Sequence, residues 1–121
     1  MKCDSIPAAF FLAFLCQSVA IFLQELIGGA IGMITVMKTD YYPLPEIYPW
    51  ISTLFVSEKF RGKRISQKLI EAAEEYARAS GFEKTYIPTE FVGLYEKYGY
   101  SYVRDIENYG GGVDRLYAKE I

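Results

Sequence analysis

Short apolar segments alternate with glycine- and proline-containing turns along the first half of the chain. Their β-branched and aromatic side chains predict three strands, at residues 19–24, 27–38 and 50–56. Three glycines in the second segment, Gly28, Gly29 and Gly32, indicate a β-bulge or a close approach of the backbone to a neighbour. The stretch 40–49 contains three prolines and is predicted to be a loop.

The second half of the chain begins with the clearest helical pattern in the sequence. Apolar side chains recur every three or four residues from Ile65 to Ala77, and most charged side chains fall between them. Gly81 has the position of a residue that ends a helix, with Phe82 able to fold back on the last turn. The remaining segments predict a strand at 85–87 closed by Pro88, a short helix at 91–98 and a hairpin of strands 100–106 and 113–118.

This order of elements predicts an α/β fold with a mixed sheet and one strand–loop–helix crossover. The length of 121 residues fits a single domain spanning 1–121, since domains usually have ~100–200 residues. Residues 1–18 stand apart, because 6–16 is an unbroken apolar run. The run partly matches a secretory signal peptide, and it is interrupted before the ~20 residues of a membrane span. We expect core structure in a cytoplasmic protein that does not bind membranes.

The sequence contains no histidine, and this changes the range of chemistry that can be considered. It excludes Ser-His-Asp and Cys-His catalysis, a His-based zinc site and an imidazole base. The two cysteines, Cys3 and Cys16, cannot build a four-cysteine zinc site, and we predict no metal. Catalysis must therefore use carboxylates, tyrosines, lysines, backbone dipoles or a cofactor.

Five basic side chains lie between the predicted strand 50–56 and the first turns of the predicted helix, namely Lys59, Arg61, Lys63, Arg64 and Lys68. A helix N-terminus also presents free N–H groups and the positive end of the helix dipole, so this placement favours a phosphate or pyrophosphate site. A Walker loop is excluded, because it would require glycine at Ser57 and serine or threonine at Arg64. A solvated basic face is the alternative. Nucleic-acid binding is disfavoured by the net charge of −2.

Two segments carry a resemblance to a known family. Strand residues Leu54-Phe55-Val56 precede the loop Phe60-Arg61-Gly62-Lys63-Arg64-Ile65-Ser66, and Gly93-Leu94-Tyr95-Glu96-Lys97-Tyr98-Gly99-Tyr100 follows some thirty positions later. Together they resemble the GNAT superfamily of N-acetyltransferases over about residues 19–118. The resemblance implies a GNAT-like, mostly antiparallel sheet with flanking helices and a central strand–phosphate loop–helix crossover.

The resemblance also implies roles for individual residues. The loop of the family, (Gln/Arg)-x-x-Gly-x-(Gly/Ala), binds the pyrophosphate of acetyl-CoA, and the strand before it pairs with the pantetheine arm and donates an N–H to the thioester carbonyl. Carried over, the residues that contact acetyl-CoA are Leu54, Phe55, Val56, Arg61, Gly62, Lys63, Arg64, Ile65 and Ser66. Tyr95 would protonate the departing thiolate, a role that suits a phenol with a reference pKa of ~10. Tyr98 and Tyr100 are expected to be packing residues.

The sequence departs from the family pattern at several positions. Arg64 replaces the first glycine of the loop motif and adds a cation, and Ser66 replaces its final Gly/Ala and adds a hydroxyl able to bind a phosphate oxygen. Family members have more chain before the first hairpin, where helices wall the acceptor site. The resemblance therefore implies either that residues 1–18 form an apolar helix that replaces part of this wall or that the chain is an N-terminally shortened member. Glu46 and Glu90 are candidate general bases, with ordered water as the alternative.

Two functions follow from these features. The first is transfer of an acetyl group from acetyl-CoA to a primary amine by direct attack, with a small molecule or a protein amino group as the acceptor. The second is a catalytically inactive CoA-binding module, which the short N-terminal region and the altered glycine positions would explain. The apolar start and the edge strands also favour a homodimer.

Overall fold

The computed structural model describes residues 18–24 and 30–121. Predictions for the apolar segment, for the two cysteines and for Gly28 and Gly29 lie outside the described residues. Within the described ranges the chain forms strands β1 (Ser18–Gln24), β2 (Ala30–Met37), β3 (Trp50–Val56), β4 (Lys84–Thr89), β5 (Ser101–Glu107) and β6 (Val113–Glu120), helix α1 (Ile65–Ala79) and two 3₁₀ turns, Glu58–Phe60 and Tyr95–Tyr98.

The six described strands form one sheet in the order β1-β2-β3-β4-β6-β5. Neighbouring strands are antiparallel, except for β3 and β4, which run parallel to each other. The parallel pair is joined by the crossover that contains α1, as expected for parallel neighbours. The prediction of an α/β fold with a mixed, mostly antiparallel sheet and a strand–loop–helix crossover is confirmed.

The sheet has a separate hydrophobic cluster on each face. One cluster packs the apolar stripe of α1, which includes Leu69, Ala73 and Tyr76, against Ile34 and Ile51 of the sheet. The second cluster lies over the loop that follows β2 and is centred on Ile47, Trp50, Ile106 and Leu116. Burial of these side chains is the main stabilising contribution to the fold. The crossover helix is thereby fixed to one face of the sheet.

Helix α1 ends as its sequence predicts. Gly81 has φ +91° and its N–H donates to the carbonyl of Arg78 at 3.0 Å, while the N–H of Phe82 donates to the carbonyl of Ala77 at 3.0 Å. These two bonds form a Schellman motif, in which glycine adopts the left-handed conformation without a Cβ penalty. Phe82 packs against the α1 cluster, as expected from its position after the glycine.

Two predictions about the later elements are wrong. The predicted helix at 91–98 is reduced to the 3₁₀ turn Tyr95–Tyr98, because Gly93 adopts φ +85° and interrupts helical geometry. The predicted strand 85–87 extends through Pro88, which is paired in register with Leu116 of β6. Proline is tolerated in β4 because the other edge of that strand has no registered partner at this residue among those described.

Gly32 confirms the predicted close approach of the backbone. A Cβ atom at this position would lie 2.6 Å from the carbonyl oxygen of Phe55 and 3.0 Å from Cδ1 of Leu69. Strand β2 can therefore lie this close both to its neighbour β3 and to α1 only with glycine at this position. No helix in the described ranges is long and apolar enough to cross a lipid bilayer.

Candidate active site

The basic loop lies between the end of β3 and the start of α1, where the sequence predicted it. Lys59, Arg61, Lys63 and Arg64 are exposed, so their charges face solvent at the helix N-terminus. The Nε atom of Arg61 donates to the carbonyl of Val56 at 3.1 Å, which folds this side chain back onto the end of β3. The loop therefore concentrates positive charge beside the last residue of the strand.

Helix α1 begins with free backbone donors. Its first intrahelical bond runs from the N–H of Lys68 to the carbonyl of Arg64 at 3.3 Å, so the N–H groups of residues 65–67 precede the hydrogen-bond ladder. No side chain caps this end and its first turn contains no acidic residue. Arg64 itself has φ +60°, the left-handed conformation that glycine adopts more readily. This helix end is available to an anion.

Strand β3 presents an open edge beside the loop. Trp50 and Tyr86 are the registered pair between β3 and β4, and beyond them the described residues show no further pairing of these strands. The N–H groups of Thr53 and Ser57 donate to Thr35 Oγ1 at 2.9 Å and to the carbonyl of Ile31 at 2.7 Å, both on the β2 side. Because backbone groups alternate along a strand, the N–H groups of residues 54 and 56 face the open edge.

A cavity of about 480 Å³ joins the open edge to the helix end. It is lined by Leu54, Val56, Phe60, Arg61, Gly62, Arg64, Ile65, Ser66, Leu94 and Tyr98. The structure thus brings together most of the predicted contact residues. The exceptions are Phe55, whose side chain is 50% exposed, and Lys63, whose ammonium lies 5.6 Å from the centroid of the Phe60 ring. An apolar channel with a basic end fits a long ligand with an anionic end.

Two tyrosines on the second 3₁₀ turn lie beside the cavity. Tyr95, the predicted acid, is half-buried against the α1 cluster and is not among the lining residues, whereas Tyr98 lines the cavity. Their ring centroids are 6.4 Å apart. Burial, with a smaller effect from Tyr98, raises the pKa of Tyr95 above its ordinary value, so the phenol keeps its proton at neutral pH.

The hydroxyl of Ser66 has a partner within the protein. Its Oγ atom lies 2.8 Å from the hydroxyl of Tyr98, and the two form a hydrogen bond across 32 positions of sequence. Sequence reasoning treated Tyr98 as a packing residue and missed this contact. The signal was present in two parts, a serine where the family has glycine or alanine and a second tyrosine one turn after the first.

A family model described as the acetyltransferase (GNAT) family matches residues 6–100. The chain belongs to the GNAT acetyltransferase family. This confirms the resemblance carried by the loop and by the tyrosine-containing segment. No curated protein matches the sequence.

Solved structures with GNAT names share the fold. An acetyltransferase from Bacillus cereus ATCC 14579 is 20% identical with a TM-score of 0.65, and the match covers 87% of this chain and 74% of that one. A Klebsiella pneumoniae protein assigned as an acyl-CoA N-acyltransferase is 17% identical with a TM-score of 0.70, and the match covers 93% of this chain and 88% of that one. An aminoglycoside 6′-N-acetyltransferase complexed with coenzyme A is 17% identical with a TM-score of 0.66, and the match covers 86% of this chain and 73% of that one. At these identities the likeness concerns the fold.

The face of the sheet opposite α1 carries a second group of polar and aromatic side chains. Asp40 accepts a hydrogen bond from Ser52 of β3, and the exposed rings of Tyr41 and Tyr109 lie 5.8 Å apart. The N–H of Tyr109 donates to the carbonyl of Tyr41 at 3.2 Å, which ties the loop after β2 to the β5–β6 hairpin.

The two carboxylates proposed as bases are placed differently from Asp40. Glu46 and Glu90 are both exposed, whereas Asp40 is partly buried against β3 in the GNAT fold. No local sequence pattern singles out Asp40, because its partner Ser52 lies on the far side of a proline-containing loop. Its position makes Asp40 a further carboxylate near the separation of β3 and β4.

Proposed function

We propose that this protein is an N-acetyltransferase that transfers the acetyl group of acetyl-CoA to a primary amine by direct attack. The observation that carries the proposal is the cavity that connects the open edge of β3 with the uncapped N-terminus of α1. Membership of the GNAT family and the fold shared with a CoA-bound acetyltransferase support the same cosubstrate.

The anionic end of acetyl-CoA would bind at the helix end. The N–H groups at the start of α1 would donate to the pyrophosphate, and Arg61, Lys63 and Arg64 would supply positive charge around it. Phosphate bound at such an end gains both from the free N–H groups and from the helix dipole. These contacts fix one end of a flexible molecule, which helps to position the thioester at the other.

The pantetheine arm would lie along the open edge of β3, among the side chains of Leu54, Val56, Ile65 and Leu94. Phe55 would contribute through its place in the same strand, because its side chain faces away from the cavity. An extended ligand at a sheet edge can form main-chain hydrogen bonds like an added strand. The N–H of Leu54 would then donate to the thioester oxygen, and one such donor contributes ~2.7–4 kcal/mol to transition-state stabilisation elsewhere.

The proposed reaction balances without a metal or a covalent enzyme intermediate. The neutral amine nitrogen attacks the thioester carbon, and the C–S bond breaks as the tetrahedral intermediate collapses. The amine proton passes to a carboxylate or to water, and Tyr95 protonates the thiolate of CoA. A phenol suits this role, because with an ordinary pKa of ~10 it still carries its proton at neutral pH.

The acceptor would approach from the face opposite α1. Asp40, Tyr41 and Tyr109 lie on that face, where a carboxylate and aromatic rings attract a protonated amine before it loses its proton. A small amine or an amino group of a protein would fit this chemistry. We place the reaction in the cytoplasm, where acetyl-CoA is produced. The expected single domain and homodimer stay predictions, and light scattering tests the dimer.

Release of CoA thiol tests the proposal. Acetyl-CoA is combined in turn with a panel of four acceptors: a small alkylamine, a diamine, an aminoglycoside and a lysine-containing peptide. We expect release above background with at least one amine, and an about 10²-fold loss in Tyr95→Phe, the scale of a lost general acid. Tyr48→Phe is the matched control, because the Tyr48 ring packs against Phe82 beyond the C-terminal end of α1, away from the cavity, and this variant should retain full activity.

The same experiment separates the two candidate functions. Saturable binding of acetyl-CoA in calorimetry without thiol release would identify a CoA-binding module. Release that is unchanged in Tyr95→Phe would remove the role of Tyr95. A protein that neither binds acetyl-CoA nor releases thiol would contradict both functions.

A further inference from the structure

The proposed site is assembled from two segments that are distant in sequence. The start of α1 holds the phosphate-binding end, and the second 3₁₀ turn holds Tyr95. The hydrogen bond between Ser66 Oγ and the hydroxyl of Tyr98, at 2.8 Å, joins these two segments directly. Ser66 lies in the first turn of the helix, so this bond is made at the end of α1 that would contact the cosubstrate.

Tyr98 also forms a wall between two cavities. It lines the apolar and basic cavity of about 480 Å³ and a polar cavity of about 160 Å³ on its other side. The second cavity contains charged side chains, including Glu74 and Lys119. The ring of Tyr98 packs against the α1 cluster and beside the ring of Tyr95, and the hydrogen bond with Ser66 fixes its hydroxyl end.

The rest of the 3₁₀ turn is held at its other end. The N–H of Tyr100 donates to the carbonyl of Tyr95 at 3.2 Å, and the hydroxyl of Tyr100 donates to Glu74 of α1 at 3.0 Å. Glu74 lies eight positions after Ser66, which corresponds to ~12 Å along a helix. The segment 95–100 is therefore attached to α1 at two points, one near the helix start and one two turns later.

We propose that Tyr98 is a positioning residue, whose hydrogen bond with Ser66 sets the distance between the phosphate-binding end of α1 and the phenol of Tyr95. The inference rests on the proposed function. Without this bond the turn stays attached through Tyr100 and through Glu96, which accepts a hydrogen bond from Tyr117 at 3.2 Å, and its end near Ser66 can pivot about these points. Such a movement displaces Tyr95 relative to a thiolate whose position is fixed by the bound phosphate. Glycine or alanine, the residues of the family's loop motif, could not form this hydrogen bond at position 66. The bond therefore depends on the serine of this chain.

The expected effect is on turnover rather than on binding. A neutral hydrogen bond contributes about 1 kcal/mol, which corresponds to an about five-fold change. We expect Tyr98→Phe to lower the rate of thiol release about five-fold with the most active amine of the panel. The Kd of acetyl-CoA, measured by calorimetry, should change less than about two-fold, because the phosphate contacts do not involve the tyrosine hydroxyl.

A double-mutant cycle with Ser66→Ala tests whether the two hydroxyls act together. The double variant should lose about as much turnover as Tyr98→Phe alone, because either substitution removes the same bond. Tyr102→Phe is the control, since the hydroxyl of Tyr102 bonds to Asp105 at 2.9 Å on the edge strand β5. Urea unfolding of the wild type, the two single variants and the double variant measures the coupling independently of activity. We again expect a change of about five-fold, here in the unfolding constant.

The outcomes are distinct. Losses that multiply to about 25-fold in the double variant would show that the hydroxyls act independently and would overturn the inference. A weaker Kd in Ser66→Ala with unchanged turnover in Tyr98→Phe would assign Ser66 to phosphate binding and would also overturn it. A wild-type protein without acetyl-CoA binding or thiol release would overturn the proposed function, and the positioning role with it.

Discussion

Glu74 of helix α1 and Lys119 of strand β6 form an ion pair with 3.0 Å between Oε2 and Nζ. The Glu74 side chain is only 7% exposed and that of Lys119 is 28% exposed. Tyr100 donates a hydrogen bond to the same carboxylate, and Thr85 then donates to Tyr100 at 2.6 Å. The pair therefore connects the crossover helix to two strands and to the segment that carries Tyr95.

Removing the cation should destabilise the fold. Lys119→Met leaves a buried carboxylate without its counter-charge, and breaking buried pairs in this way costs ~3–5 kcal/mol. Because Lys119 is partly exposed, we expect a decrease of about 2 kcal/mol in the free energy of unfolding, measured by urea denaturation. Arg78→Met is the control, since Arg78 pairs with Glu75 at the surface and should cost less than ~0.5 kcal/mol. Equal effects of the two substitutions would contradict the role of burial.

Stability should fall in alkaline solution. Burial, together with the charge and hydrogen bond of Glu74, raises the pKa of Tyr100 above its ordinary value of 10.0, although its bond with Thr85 acts in the opposite direction. The folded protein therefore holds this proton more tightly than the unfolded chain. The associated stability is complete below the unfolded pKa and is lost as the pH rises above ~10.

Urea denaturation at a series of pH values between ~8 and ~11 measures this loss. Tyr100→Phe lowers stability at every pH but should make the decline less steep, because the phenol that titrates is gone. A residual slope is expected from Tyr42, whose pKa burial also raises. An unchanged slope in Tyr100→Phe would contradict the assignment.

The left-handed backbone of Arg64 gives a third prediction. A residue other than glycine costs roughly 1–2 kcal/mol in this conformation. Replacing it with glycine removes that cost but adds ~0.5–1 kcal/mol, because glycine loses more chain entropy on folding. We expect Arg64→Gly to increase the free energy of unfolding by about 0.5–1 kcal/mol in urea denaturation. Arg64→Ala keeps the strain and should show no gain.

The same two variants separate backbone strain from charge. Both lose the guanidinium, so both should weaken acetyl-CoA binding at low salt to a similar extent, and the difference from wild type should diminish as salt is added. If Arg64→Gly binds acetyl-CoA more weakly than Arg64→Ala does, loss of the guanidinium charge does not explain the weaker binding.

Local sequence patterns were sufficient for the elements that position the site. The spacing from Ile65 to Ala77 and the glycine at position 81 predicted α1 and its end, because helix periodicity and the left-handed glycine act within a few residues. The predicted helix at 91–98 failed because one glycine within it, Gly93, takes a positive φ. A single-residue conformational choice of this kind depends on the surrounding structure rather than on periodicity.

The contacts that complete the site lay beyond local reasoning. Ser66 and Tyr98 meet only because α1 and the second 3₁₀ turn pack side by side, and Asp40 meets Ser52 only because the loop after β2 crosses the sheet. Each partner is an unremarkable polar residue in its own segment. Their pairing is set by the tertiary fold, so an amphipathic pattern does not encode it.

Gly32 provides the last prediction, because its missing side chain sets the spacing of β2, β3 and α1. A Cβ atom would meet the backbone carbonyl of Phe55 at 2.6 Å, and a carbonyl within a paired strand cannot rotate away as a side chain can. We expect Gly32→Ala to lower the free energy of unfolding by about 2 kcal/mol in urea denaturation, as for other overpacked sites. Because β3 must shift to relieve the contact, the edge that faces the cavity shifts with it, and acetyl-CoA binding should weaken in calorimetry.

Gly110→Ala is the matched control for Gly32→Ala. The nearest atoms to an added Cβ at Gly110 are the Tyr41 hydroxyl at 3.1 Å and Asn108 Oδ1 at 3.2 Å, both at the ends of side chains. These atoms can move by a few tenths of an ångström, so the cost should stay below ~1 kcal/mol, less than at a site that cannot relax. Comparable decreases in the free energy of unfolding of the two variants would show that the backbone of β3 moves as easily as side chains in an exposed loop. The position of the cavity edge would then not depend on Gly32.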